Sequence, residues 1–264
     1  MLSELLPSVP LSLPPDYNFL TWSGDRVVLT TSAKGFSTVS MIGSTGGLIN
    51  ELLTRARTPQ SSADGNVLVF QSTDPSKPGI WRSTNGGGPE RLETKQPFWL
   101  SASSDASNMV FISGATGRQS VWTLTAGQPA RQLTSVFASR AVISPDGRTV
   151  SFLTRDELSR SIQVVCPVAD CKELRRLPIP ATALDLVRWA PDGTSLTYLA
   201  GSPLNIWAQP LEGTATRQLT HFTDPRAIAD FAWSADGKRL AILRSTTTSD
   251  VVLFKGLRPP IATQ

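Results

Sequence analysis

This sequence contains little of the side-chain chemistry on which most enzymes depend. Its 264 residues include one histidine, His221, and two cysteines, Cys166 and Cys171. A Ser-His-Asp triad would have to use His221, and no Gly-x-Ser-x-Gly motif supplies a serine nucleophile. Hydrolysis by a bound metal ion lacks ligands for the same reason. We therefore expect a chain that is not an enzyme, with no catalytic residue, no metal site and no cofactor.

Long apolar runs and runs of like charge are also missing. No apolar stretch approaches the roughly 18 residues of a membrane-spanning helix, and residues 1–15 lack the basic start and apolar core of a signal peptide. The net charge is a modest +4, and the tightest cationic cluster is Lys172, Arg175 and Arg176. These three lie on a predicted outer strand, where Lys and Arg commonly block edge pairing. We expect no membrane span in this chain and no nucleic-acid partner.

What the sequence does contain is a repeated turn. Asp-Gly dipeptides and degraded copies of them recur every 39–46 residues. The aspartates of these turns are Asp25, Asp64, Asp105, Asp146, Asp192 and Asp236. Asp-Gly between two strands is a strong hairpin signal, because Gly accepts a positive φ and Asp bonds to its own backbone. A period of about 40–45 residues is that of a propeller blade. The sequence therefore predicts an all-β fold, a six-bladed β-propeller with four-stranded antiparallel blades.

The apolar residues support this architecture. The run after each turn is β-branched or apolar, as at 67–70 and 196–199, which indicates second strands buried on both faces. The predicted third strands carry Trp81, Trp122 and Trp207 in equivalent positions. We expect these three indoles to pack between blades and not to stack on a ligand.

The two ends of the chain are predicted to meet in the last blade. Residues 251–254 have the pattern of its third strand, but no fourth strand follows them. Residues 3–7 resemble an outer strand, and as an N-terminal strand they would complete the last blade and remove its open edge. We therefore expect residues 1–264 to form a single, monomeric propeller domain, with 257–264 as a loose tail.

Cys166 and Cys171 flank the predicted turn between the third and fourth strands of the fourth blade. A hairpin with this loop sets the two cysteines opposite each other, near disulfide distance. A disulfide would indicate an oxidising compartment, whereas two free thiols at a surface turn fit the sequence equally well. The sequence leaves the compartment open and slightly favours a periplasmic or extracytoplasmic location over a cytoplasmic one.

The repeat resembles a bacterial family. Its pattern is Trp-Ser-x-Asp-Gly-(Lys/Arg), an apolar strand, Ile-Trp and then Arg-Gln-Leu-Thr, and it resembles the TolB-like (WD-repeat-like) β-propeller repeats. The last two blades, at 205–207, 217–224 and 231–240, resemble the C-terminal propeller of bacterial serine/threonine kinases and winged-helix regulators. This resemblance implies a non-catalytic protein- or peptide-binding or sensor module within a larger signalling protein. The family's founding member is periplasmic and binds protein partners.

Two other readings remain open. The chain would also suit the propeller domain of a prolyl-oligopeptidase-like serine peptidase whose catalytic domain is elsewhere. A sugar-binding or lyase-like propeller would require a metal ion or paired carboxylates in the channel.

A candidate ligand site follows from the architecture. Propellers bind at the mouth of the central channel, where the first strands begin. Counting back six and seven residues from each turn aspartate selects Arg57, Arg140, Asp185 and Asp230, with Trp99 as an aromatic platform. This rim of mixed charge suits a protein or peptide ligand, although the same charges could instead pair with one another across the opening.

Overall fold

The computed structural model describes residues 17–33, 36–85, 87–180, 186–213 and 215–246. Within these ranges the chain forms strands and turns, without a helix. Blade 1 contains β1 (Tyr17–Ser23), β2 (Arg26–Ala33), β3 (Phe36–Gly43) and β4 (Asn50–Thr54). Blade 2 contains β5 (Ala56–Ser61), β6 (Val67–Ser72), β7 (Gly79–Thr84) and β8 (Glu90–Glu93). Blade 3 contains β9 (Trp99–Ala102), β10 (Asn108–Ser113), β11 (Ser120–Thr125) and β12 (Arg131–Gln132).

The second half of the chain repeats this order. Blade 4 contains β13 (Ser139–Ile143), β14 (Thr149–Arg155), β15 (Ser161–Pro167) and β16 (Arg175–Leu177). Blade 5 contains β17 (Val187–Trp189), β18 (Ser195–Ala200), β19 (Asn205–Pro210) and β20 (Arg217–Gln218). The sixth sheet contains β21 (Ala227–Trp233) and β22 (Leu240–Ser245). No helix long and apolar enough to cross a membrane occurs among the described residues.

Each blade is an antiparallel sheet in which consecutive strands pair. The prediction of an all-β propeller built from four-stranded antiparallel blades is therefore confirmed. The predicted number of six such blades is wrong for the described part of the chain, where five sheets have four strands and the sixth has two. The turn at Asp236 builds only the inner pair of the sixth sheet. The segments predicted to supply its outer strands, 251–254 and 3–7, lie outside the described residues, as does the predicted tail 257–264.

The repeated turn is built by a serine two residues before the aspartate. Ser62 Oγ donates to Asp64 Oδ1 and accepts the N–H of Val67, while Asp64 Oδ1 accepts the N–H of Asn66. The same network forms around Ser103 and Asp105, Ser144 and Asp146, and Ser234 and Asp236. In all four turns the serine hydroxyl is the main reason that the pKa of the aspartate lies below its usual value. These carboxylates thus stabilise the hairpin turns through hydrogen bonds.

Tryptophans on two different strands join neighbouring sheets. Trp81, Trp122 and Trp207 on the third strands pack against apolar clusters shared between adjacent blades, as the sequence indicated. A second set lies on the innermost strands and donates indole N–H groups to the preceding sheet. These bonds run from Trp22 to Ala232 O, from Trp189 to Val142 O and from Trp233 to Thr197 Oγ1, at 2.9, 3.0 and 3.2 Å.

The first blade and the sixth sheet contact each other and close the ring. Besides the Trp22 bond, the N–H of Leu20 donates to Asp230 Oδ2 at 2.9 Å. Leu20, Leu29 and Ala232 belong to one buried apolar cluster. The innermost strands therefore surround a channel although the sixth sheet has only two strands among the described residues.

The two cysteines are joined in a disulfide. The Cα atoms of Cys166 and Cys171 lie 5.1 Å apart at the end of β15, and both residues belong to a buried cluster that also contains Leu133 of blade 3. The loop that the disulfide closes accepts a hydrogen bond from Arg131 at Val168 O, at 2.7 Å. This part of blade 4 is consequently fixed to blade 3.

Candidate binding site in the central channel

A cavity of about 160 Å³ lies in the central channel, lined by residues from all six innermost strands. The position four residues before each turn aspartate forms one column of the aligned repeats, and this column supplies one lining residue from every sheet. In chain order that column reads Thr21, Gln60, Ser101, Val142, Arg188 and Ala232. Among the described residues lining the cavity, Arg188 is the one with a charge. The described part of the cavity wall therefore contains one cationic side chain.

Arg188 forms a buried ion pair with Asp230. Its Nη2 donates to Asp230 Oδ1 and Oδ2 at 3.0 and 3.3 Å, and its Nε donates to Phe231 O at 3.4 Å. The Arg188 side chain is 15% exposed and that of Asp230 only 3%. The carboxylate also accepts the N–H groups of Leu20 and Phe231, at 2.9 and 2.8 Å. A buried charge is tolerated when it is paired and hydrogen-bonded in this way, so the pair ties blades 5 and 1 to the sixth sheet.

Two aromatic rings flank the same guanidinium. The Arg188 Cζ lies 5.2 Å from the ring centre of Phe19 and 5.8 Å from that of Trp99, within cation–π range. These rings come from blades 1 and 3, so the guanidinium reaches across the channel. Within the described part of the chain, Arg188 Nη1 makes no hydrogen bond. The Nε1 atom of Trp99 is buried and has no acceptor there.

The structure places the residues selected from the sequence in different environments. Trp99 and Asp230 are brought together on Arg188, where Trp99 is half-buried and Asp230 is buried. Arg57 is exposed near the start of β5, and Arg140 is half-buried near the start of β13. Asp185 lies outside the described residues. The predicted rim of all five residues thus remains a prediction, while two of its members belong to the Arg188 cluster.

The sequence count missed Arg188 because it examined six and seven residues before each aspartate, whereas Arg188 is four before Asp192. An arginine among Thr, Gln, Ser, Val and Ala in that column was the available signal. The direction in which each inner-strand side chain points was also not predictable from this count. The inner strands β1, β5, β13 and β21 each contain a register shift near their first residues. Such bulges re-aim side chains, and Thr58 and Arg140 have positive φ there.

Exposed apolar side chains occur at the opposite end of the channel from the turn residues that line the cavity, among them Gly24, Ala63 and Pro145. We call the channel end where the innermost strands begin the mouth. Phe98 and Val136, 54% and 40% exposed, precede β9 and β13, and Leu158, 71% exposed, lies in the β14–β15 loop. Phe137 carries the Arg155 guanidinium 4.9 Å from its ring centre. The mouth side of blades 3 and 4 thus combines apolar and cationic surface.

No family model matches the sequence, and no curated protein matches it. Solved structures do match. TolB from Acinetobacter baumannii superposes with a TM-score of 0.64 at 16% identity over 84% of this chain, which spans 65% of that protein. A protein described as TolB from Agrobacterium tumefaciens gives 0.71 at 13% identity, covering 89% of this chain and 92% of that one. A puromycin-hydrolyzing peptidase from Mycobacterium tuberculosis gives 0.59 at 19% identity, with coverages of 86% and 42%. The protein therefore has the fold of a TolB-like β-propeller.

Proposed function

We propose that this propeller is a non-catalytic binding module that takes a protein or peptide ligand at the mouth of its channel. The observation that carries the proposal is the guanidinium of Arg188, held between Phe19 and Trp99 with one nitrogen that has no acceptor in the described part of the chain. Arginine and aromatic side chains dominate the binding energy of protein interfaces, particularly in desolvated central pockets. The cluster lies on strands of different blades, a rigid support of the kind that a binding site requires.

The surroundings of the cluster fit a polypeptide better than a small molecule. A cavity of about 160 Å³ is below the roughly 300–1,000 Å³ of pockets that enclose drug-sized ligands, so it would take one side chain. The exposed Phe98 and Val136 and the cationic Arg57 lie at the mouth and offer further contacts to a longer ligand. The ligand would thus insert one residue past the mouth to the Arg188 cluster and the cavity beyond it, and its neighbours would lie on the mouth.

The wider biological setting is also part of the proposal. The Cys166–Cys171 disulfide supports a periplasmic or extracytoplasmic location, since disulfides persist in oxidising compartments. We propose a single, monomeric propeller domain that acts as a sensor in a larger signalling protein. The alternative is the propeller of a serine peptidase with its catalytic domain elsewhere, favoured by the fold similarity to the puromycin-hydrolyzing peptidase. An α/β-hydrolase domain in the same reading frame would favour that alternative.

A displayed random-peptide library tests the binding function. The wild-type chain should enrich peptides, and Trp99→Ala should recover them at least about tenfold less well, as expected for an interface hot spot. Leu52→Ala is the matched control, because Leu52 is 40% exposed on the outer strand β4. Thermal unfolding of each variant verifies the fold. Lack of enrichment, or equal recovery by Trp99→Ala and the wild type, would contradict a channel-mouth site.

A further inference from the structure

Arg188 has hydrogen-bonding capacity that the described residues do not use. A guanidinium carries five N–H donors in a planar fork, and here Nε and Nη2 are engaged by Phe231 O and Asp230. Nη1 makes no hydrogen bond among the described residues. Such a donor, held beside a cavity, is suited to an acceptor that arrives with a ligand.

Asp230 holds Arg188 in place from outside the lining of the cavity. Its carboxylate accepts backbone N–H groups from Leu20 and Phe231 as well as the Arg188 fork. Arg188 lines the cavity wall, whereas Asp230 does not. A group inside the cavity therefore meets a cation directly and meets the compensating anion only behind it. The other lining residues are uncharged among those described, so the wall favours an anionic ligand group.

The size and shape of the site narrow that group further. About 160 Å³ holds one amino-acid side chain but not a larger ligand. A carboxylate matches the planar guanidinium fork, and charge-assisted bonds of this kind are about twice as strong as neutral ones. We propose that Arg188, with Phe19 and Trp99 against its guanidinium, binds a carboxylate of the ligand, from an acidic side chain or a chain terminus. This inference rests on the proposed peptide-binding function and names the chemical group recognised.

Small carboxylate probes test the assignment with the 264-residue chain. The probes are N-acetylglutamate α-amide, which has only a side-chain carboxylate, and N-acetylalanine, which has only a terminal one. N-Acetylglutamine α-amide and N-acetylalanine amide are their neutral counterparts. The readout is the indole N–H resonances of Trp22, Trp189 and Trp233, which line the cavity, with the Trp81 resonance as a distant reference. At least one acid should shift the cavity resonances, and its neutral counterpart should not.

Two variants make the test independent of a folding defect. Asp230→Asn retains Arg188 and removes the competing charge, so acid binding should strengthen. Arg188→Met combined with Asp230→Asn removes both charges, and acid binding should weaken by about tenfold or more, the scale of one lost charge-assisted bond. Equal shifts from acid and neutral probes, no shift from any probe, or an unchanged response in the double variant would overturn the carboxylate site. Library peptides that depend on Trp99 but lack carboxylates would overturn it while leaving the proposed peptide binding intact.

Discussion

Replacing Asp230 by alanine should destabilise the protein severely. The side chain is 3% exposed and accepts hydrogen bonds from the N–H groups of Leu20 and Phe231 and from Arg188. Its removal leaves the Arg188 charge without a partner in a largely buried position. Breaking a buried ion pair from one side costs about 3–5 kcal/mol, because the remaining charge is uncompensated. We expect a loss of this size in the free energy of unfolding.

Urea unfolding followed by tryptophan fluorescence measures this loss, and an unchanged m-value licenses the comparison. The double variant Arg188→Met with Asp230→Asn removes both charges and should cost less than Asp230→Ala alone, since replacing a buried pair is far less costly than breaking it. Asp170→Ala is the control, because Asp170 forms an exposed pair with Lys172 and should cost about 1 kcal/mol or less. If Asp230→Ala cost no more than this control, the argument for a buried, structural ion pair would be refuted.

Three further predictions concern the turns, the disulfide and ring closure. Acidification should lower the free energy of unfolding, because the folded-state pKa of Asp146 is depressed. The stabilisation from Asp146 is full above the unfolded pKa of about 3.9 and is lost as the pH falls through the folded pKa. In urea titrations at pH 7 and 3, Ser144→Ala should lose less stability on acidification than the wild type, and an equal loss would contradict this account of the turn. Reducing the Cys166–Cys171 disulfide, which closes a separation of 5 residues, should lower the free energy of unfolding by about 2 kcal/mol on the chain-entropy scale. Urea unfolding curves with and without reductant measure this loss, and an unchanged unfolding midpoint would contradict it. Trp22→Phe removes the hydrogen bond to Ala232 O and should lower the free energy of unfolding by about 1 kcal/mol. It should also speed amide hydrogen exchange in β21 more than in β10. An equal increase of exchange in both strands would contradict a local role at the ring closure.

The blade repeat was predictable because it rests on local chemistry. The Ser-x-Asp turn satisfies its own hydrogen bonds within six residues, as at Ser62 to Val67, so its period survives in the sequence. The same holds for the interblade Trp122, whose position in the repeat fixes which face it occupies. The outer strands of the last sheet have no such local signal, and the segments predicted to supply them, 3–7 and 251–254, lie outside the described residues.

The candidate site was harder to predict because it is built from several blades at once. Phe19, Trp99, Arg188 and Asp230 come from four different sheets, and no short sequence pattern relates them. Counting from the turn aspartates located Trp99 and Asp230 by height along the channel. It could not show that bulges shift the register of the inner strands, or that a long arginine side chain from a lower position reaches the same level. Column-by-column comparison of the repeats would have identified Arg188 as the exceptional residue.

A crystal structure of the chain with a library-selected peptide tests the central claim most directly. Our account predicts a peptide at the mouth, with one carboxylate oxygen at hydrogen-bonding distance, about 2.7–2.9 Å, from Arg188 Nη1. Phe19 and Trp99 should remain against the Arg188 guanidinium. A peptide bound on the outer strands or at the turn end, with the Arg188 guanidinium hydrogen-bonded only to Asp230 and Phe231 as it is among the described residues, would contradict it.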